Sequence, residues 1–131
     1  MDDDEEDYLF TATALQRECP QATVSHVTGL DDWQLVMRKQ LPYPSLVLMD
    51  YRLPMTTGLE LLQELKADPL LRAIPVIMWS GSAEPREIQA CYEQGAAAFL
   101  EKPATMEQLE QNMAALCGFW LTAVHLPHAQ F

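Results

Sequence analysis

Three apolar runs in this chain each close on polar residues with chemistry of their own. Ser45-Leu46-Val47-Leu48-Met49 ends at Asp50, Ile74-Pro75-Val76-Ile77-Met78-Trp79 ends at Ser80, and Ala97-Ala98-Phe99-Leu100 ends at Glu101-Lys102-Pro103. A continuously apolar run is the mark of a strand covered on both faces, as in a parallel sheet, and such sheets collect the carboxyl ends of their strands along one edge. Two more acids, Asp2 and Asp3, stand just before the first helical stretch. Clustered carboxylates repel one another unless a hard cation sits among them, and all-oxygen ligation with retained waters suits Mg²⁺. With a lysine and a hydroxyl added, the group could hold a transferring phosphoryl. The carboxylate of Asp50 would attack phosphorus, Mg²⁺ and Lys102 would neutralise the equatorial oxygens, and Ser80 would donate a hydrogen bond to one of them.

Positioning such a group takes a covered sheet, and the remaining sequence supplies its layers. Tyr8, Ala12, Leu15 and Cys19 recur at helical spacing, so Glu5 to Arg17 is predicted as an amphipathic helix, with acids in its first turn and Pro20 behind it. Ala22 to Thr28 is a strand candidate; Asp31 caps a second helix carrying Trp33, Val36, Met37 and Leu41, and Pro42 and Pro44 mark its exit. Gly58 to Ala67 carries Leu61, Leu62 and Leu65 at helical spacing and stops at Asp68-Pro69. Ser82 to Gln94 follows, with Ile88, Cys91 and Tyr92 expected to face inward and Gly95 just past its end. Thr105 and Gln108 form a capping box, and Leu109, Met113, Leu116 and Trp120 extend one stripe to about Val124. Strands alternating with helices predict an α/β fold, a doubly wound parallel sheet.

The 131 residues suffice for one domain with its own core. A net charge of −11 weighs against nucleic acid as a direct partner, although six of the acids lie between Asp2 and Asp7. No apolar run approaches the length of a membrane span and no secretory leader pattern opens the sequence, so a cytoplasmic location is expected. Cys19, Cys91 and Cys117 lack a Cys-x-x-Cys spacing, which suits buried thiols in a reducing compartment better than metal or disulfide roles.

Together these residues resemble a known family, the receiver domain of two-component response regulators of the chemotaxis type. The resemblance rests on Asp2-Asp3 opening a helix, Leu46 to Asp50, Pro54 and Gly58 beyond it, Pro75 to Gly81, and Phe99-Leu100-Glu101-Lys102-Pro103. It covers residues 1–117 as receiver domain, leaving 118–131 as an extension of the last helix and a tail. It implies a flavodoxin-like sheet of order 2-1-3-4-5. It also implies a single-domain regulator, not an enzyme, that takes a phosphoryl group on Asp50 from a histidine kinase and signals to a downstream protein by contact. Asp3 and Asp50 would bind Mg²⁺ directly, Asp2 through water, and Arg52 through its backbone carbonyl. Ser80 and Lys102 would sense the phosphoryl group, Phe99 would be the aromatic switch, and Lys102-Pro103 would be a cis peptide. The stretch from Phe119 to Pro127 is similar to the tail of stand-alone receivers associated with phytochrome-like histidine kinases.

Receivers open with a buried strand directly before the acidic pair, and here Met1 holds its last position. The first strand is therefore expected to be absent from this sequence, supplied upstream or replaced. Arg52 could hang its cationic side chain over the phosphoryl group. An aspartate-nucleophile phosphohydrolase of the haloacid dehalogenase type needs a second Asp two residues after the nucleophile, where this chain has Arg52. The remaining alternative is a non-phosphorylated interaction or dimerisation module. Phe119, Trp120, Leu121, Val124 and Leu126 exceed what one helical face can bury, which predicts a homodimer through the last helix and tail.

Overall fold

A computed structural model describes residues 5–20, 45–53 and 56–126. Its elements run α1 (Glu5–Glu18), β1 (Val47–Asp50), α2 (Gly58–Ala67), β2 (Val76–Ser80), α3 (Pro85–Glu93), β3 (Ala98–Glu101) and α4 (Met106–Gly118), which passes into a π-turn at Phe119–Ala123. The strand and helix expected over residues 22–41, the acidic pair Asp2-Asp3, the position of the first strand, and Pro54 all lie outside the described residues.

The three strands pair in parallel in the order β1-β2-β3, with Val47 opposite Val76 and Ile77 opposite Ala98. Alternation along them decides the layers. Val47, Met49, Val76 and Met78 point to one face, where they meet Leu61, Leu62 and Leu65 of α2 and Cys91 of α3, with Phe99 packed at the margin. Ile77 and Trp79 point to the other, against Ala14 of α1 and Leu109, Met113 and Leu116 of α4. Every residue of β2 is buried, as a central strand between two helical layers requires.

Local signals fix the helix ends. The Thr57 hydroxyl accepts from the Glu60 N–H, and the Thr105 hydroxyl from the Gln108 N–H, both at 3.2 Å; Gln108 reaches back to the Ala104 N–H. Gly95 follows α3 at φ +104°, a conformation open to glycine. Three expectations need correction. Helix α3 begins at Pro85, not Ser82, because proline at its first turn presets the helical φ and the Ser82 N–H is taken by Ser80 Oγ at 3.2 Å. Tyr92 is 48% exposed rather than inward, and its hydroxyl accepts the Phe99 N–H, pinning β3 from outside. The last helix is α-helical only to Gly118; beyond it the Val124 N–H bonds back five residues to the Phe119 carbonyl.

Candidate functional site

The carboxyl edge of the sheet is built by backbone first. The Tyr51 N–H donates to the Trp79 carbonyl at 2.8 Å, and the Lys102 N–H to the Ser80 carbonyl at 2.7 Å, so the residues leaving the three strands are tied side by side. Asp50 and Ser80 are 4% and 1% exposed at that edge. Lys102 leaves β3, two strand spacings or roughly 10 Å from β1. Its long stem crosses β2 and places Nζ 2.7 Å from Asp50 Oδ2. The other carboxylate oxygen, Oδ1, accepts the backbone N–H of Arg52 at 3.1 Å.

Helix α2 abuts this edge. The Gly58 N–H donates to the Tyr51 carbonyl at 2.7 Å, and a side chain at Gly58 would put its Cβ 2.2 Å from the Asp50 carbonyl oxygen. Glycine is therefore required by close approach of backbone to backbone. The sequence placed Asp50, Ser80 and Lys102 at one edge, and the structure brings them together there. Phe99 lies apart from them, beside Met78 in register and half-buried on the α2–α3 face. The Lys102-Pro103 bond is trans, correcting the expected cis form; with a trans bond the lysine stem already reaches Asp50.

Arg52 does not hang over the Asp50 carboxylate. Its guanidinium crosses to the first turn of α3, where Nη2 donates to Glu87 Oε1 at 2.6 Å, and it lies 5.5 Å from the Tyr51 ring centroid. Nothing in the spacing of the sequence singles out Glu87. Its side chain is 14% exposed against 60% for Arg52, and its Oε2 is buried without a partner. Burial, followed by the nearby Glu87 charge, raises the Tyr51 phenol above its usual range. Removing Arg52 leaves that carboxylate uncompensated. Arg52→Ala is expected to cost about 1 kcal/mol, discounted for the exposed arginine, and Arg52→Ala with Glu87→Gln to recover most of it. Urea denaturation of the four members of that cycle checks this; equal losses in the single and double variants would contradict it.

Of the expected cation ligands, the described residues supply the Asp50 carboxylate and Arg52, whose N–H bonds that carboxylate and whose carbonyl would complete an all-oxygen set. No cluster of three or more His, Cys, Asp or Glu occurs among the described residues, and no described helix is long and apolar enough to cross a membrane.

With this geometry in hand, comparison with known proteins is decisive: the response regulator receiver domain family matches residues 1–114. The chain belongs to that family. Among relatives, the receiver is 35% identical over 88 residues to the response regulator Rcp1 of Synechocystis sp., covering 67% of this chain and 60% of Rcp1. It is 42% identical over 62 residues to the two-component response regulator ORR11 of Oryza sativa, covering 47% of this chain and 42% of that one. The chain thus spans less than two thirds of these relatives. Among solved structures, it superposes on the phosphorylated cyanobacterial phytochrome response regulator RcpA with a TM-score of 0.90 at 28% identity, covering 98% of this chain and 95% of that one. On the Mn²⁺-bound form of Rcp1 the TM-score is 0.79 at 25% identity, covering 98% and 96%. The sheet is accordingly a flavodoxin-like receiver sheet, whose described strands run in parallel in the order β1-β2-β3. Receiver domains bind a divalent metal in their acidic pocket and generally serve signalling.

Proposed function

We propose that this receiver accepts a phosphoryl group on Asp50 from a histidine kinase, in the presence of Mg²⁺, and signals by protein contact rather than by turning over a substrate. The observation that carries this reading is the 2.7 Å contact between Lys102 Nζ and Asp50 Oδ2 at a strand end shared with Ser80. One carboxylate oxygen is oriented by the Arg52 N–H while a cation waits beside the other. Transfer to Asp50 spreads charge over the equatorial phosphoryl oxygens, which Lys102 and the Ser80 hydroxyl would meet.

Asp3 and Asp50, with the Arg52 carbonyl and with Asp2 through water, would hold the cation, which supplies charge neutralisation at the phosphoryl oxygens. Phe99 would respond by repacking against the Met78 face, since it is half-buried and its N–H is already anchored by Tyr92. The similarity to the cyanobacterial phytochrome response regulator RcpA favours a phytochrome-like kinase as donor, and membership of the receiver family favours a cytoplasmic site of action. Incubation with acetyl phosphate tests the reading: labelling is expected with Mg²⁺ and lost on chelation, and labelling indifferent to chelation would overturn the metal's role.

The C-terminal surface supports homodimer formation as part of this function. Phe119 is 55% exposed and meets Trp120 edge to face at 5.3 Å, whereas Trp120 and Leu121 lie partly against the α1–α4 core. A groove of about 240 Å³ runs between β3 and α4, lined by Ala98, Leu100, Ala115, Phe119 and Trp120 among others. A second copy is the simplest cover for such a face. In sedimentation at tens of micromolar, roughly the range of a modest self-association, the intact chain is expected to be dimeric and one ending at Gly118 monomeric. A monomeric intact chain would contradict the proposal.

A further inference from the structure

The C-terminal ends of α1 and α4 meet on the face of the sheet away from α2 and α3, and each brings a cysteine. Cys19, directly after α1, is 1% exposed, and Cys117, in the last turn of α4, is 7% exposed. The Cys117 sulfur lies 3.5 Å from the carbonyl oxygen of Glu18, the carbonyl of the peptide that leads into Cys19, so the two cysteines are neighbours across the α1–α4 contact. Separated by most of the chain, they carry no sequence signature of pairing. Cys91 lies in the core on the opposite face.

We propose that Cys19 and Cys117 form a reversible oxidation site, a dithiol that a peroxide converts to a disulfide stapling α1 to α4. A Cys117 sulfur that already touches the Glu18–Cys19 peptide is within the backbone separation a disulfide spans. The Cys117 thiolate attacks the outer peroxide oxygen, giving a sulfenic acid and releasing an alcohol, or water from hydrogen peroxide. The Cys19 thiolate then attacks that sulfenic sulfur, expelling hydroxide that leaves as water. Two thiols lose two electrons and two protons, and the peroxide gains them.

The neighbouring Cys117 thiol, then burial, pushes the Cys19 thiol up to about 11, so Cys19 rests protonated at neutral pH. The π-turn that follows Cys117 covers its sulfur, the Thr122 hydroxyl standing 4.0 Å away. Transient local opening at a helix end is the route by which a peroxide would reach the sulfur. The staple would fix the turn that carries Phe119 and Trp120, coupling oxidation to the groove beside β3.

The test treats the folded full chain with hydrogen peroxide, blocks remaining thiols after denaturation, and maps peptides without reduction. The expected result is a Cys19–Cys117 cross-linked pair with Cys91 recovered as a blocked free thiol. Closing so long a loop should raise Tm by roughly 10 °C, reversed by dithiothreitol and absent in Cys117→Ser. Peptide mapping of the unsubstituted chain decides the matter even where the variant folds poorly. Recovery of both Cys19 and Cys117 as free thiols, or pairing of either with Cys91 or between chains, would overturn the proposal.

Discussion

Gly58→Ala is expected to lower Tm by roughly 10 °C, a loss of about 2–3 kcal/mol for a chain this size. The added methyl would sit 2.2 Å from the Asp50 carbonyl oxygen and 2.9 Å from Met78 Cε. The methionine end can swing away, but the carbonyl belongs to the strand that orients Asp50. Relief therefore requires α2 to lift from β1 by about 1 Å, which opens the packing of Leu61, Leu62 and Leu65 against Met49 and Met78. The helix-propensity gain from Gly to Ala, about 0.5–1 kcal/mol, offsets only part of this. Thermal denaturation of the variant beside the parent chain measures the loss. An unchanged Tm would mean that the junction yields freely and that glycine there is incidental.

Lys102→Met should destabilise the chain by about 2–4 kcal/mol without added metal, because a buried carboxylate would lose its cation while a similar volume is kept. The Asp50 side chain is 6% exposed and Lys102 only 21%, so water screens little of that loss. Mg²⁺ should recover much of the stability, since a divalent cation beside Asp50 supplies the missing charge and binds the folded state alone. Melting in chelator and in excess Mg²⁺ separates the two terms. A variant as stable as the parent in chelator would show that the pair contributes nothing. A variant destabilised but blind to Mg²⁺ would instead remove the cation site.

The sheet edge was legible in the sequence because its signals are one-dimensional. Apolar runs closing on Asp50, Ser80 and Lys102 state both strand and terminus, and the structure places each at the same edge. The span Gly58–Ala67 was equally readable, since a capping threonine, helical leucines and Asp68-Pro69 agree locally. What escaped depends on contacts between distant elements. Glu87 is an ordinary exposed-face residue of a helix until the fold sets Arg52 against it, and Cys19 and Cys117 meet only because α1 and α4 pack side by side. Tyr92 read as core by its spacing, yet its hydroxyl is better served at the surface by the Phe99 N–H. The π-turn was hidden because the apolar stripe of α4 runs on to Trp120 regardless of how the backbone is bonded.

The central claim is that Asp50 carries the phosphoryl group, and mass spectrometry of the intact chain and of Asp50→Asn, each treated with acetyl phosphate and Mg²⁺, tests it most directly. A single phosphoryl adduct that maps to the peptide containing Asp50, and that is absent from Asp50→Asn, is the predicted result. No adduct on the parent chain, or an adduct that persists in Asp50→Asn, would contradict it.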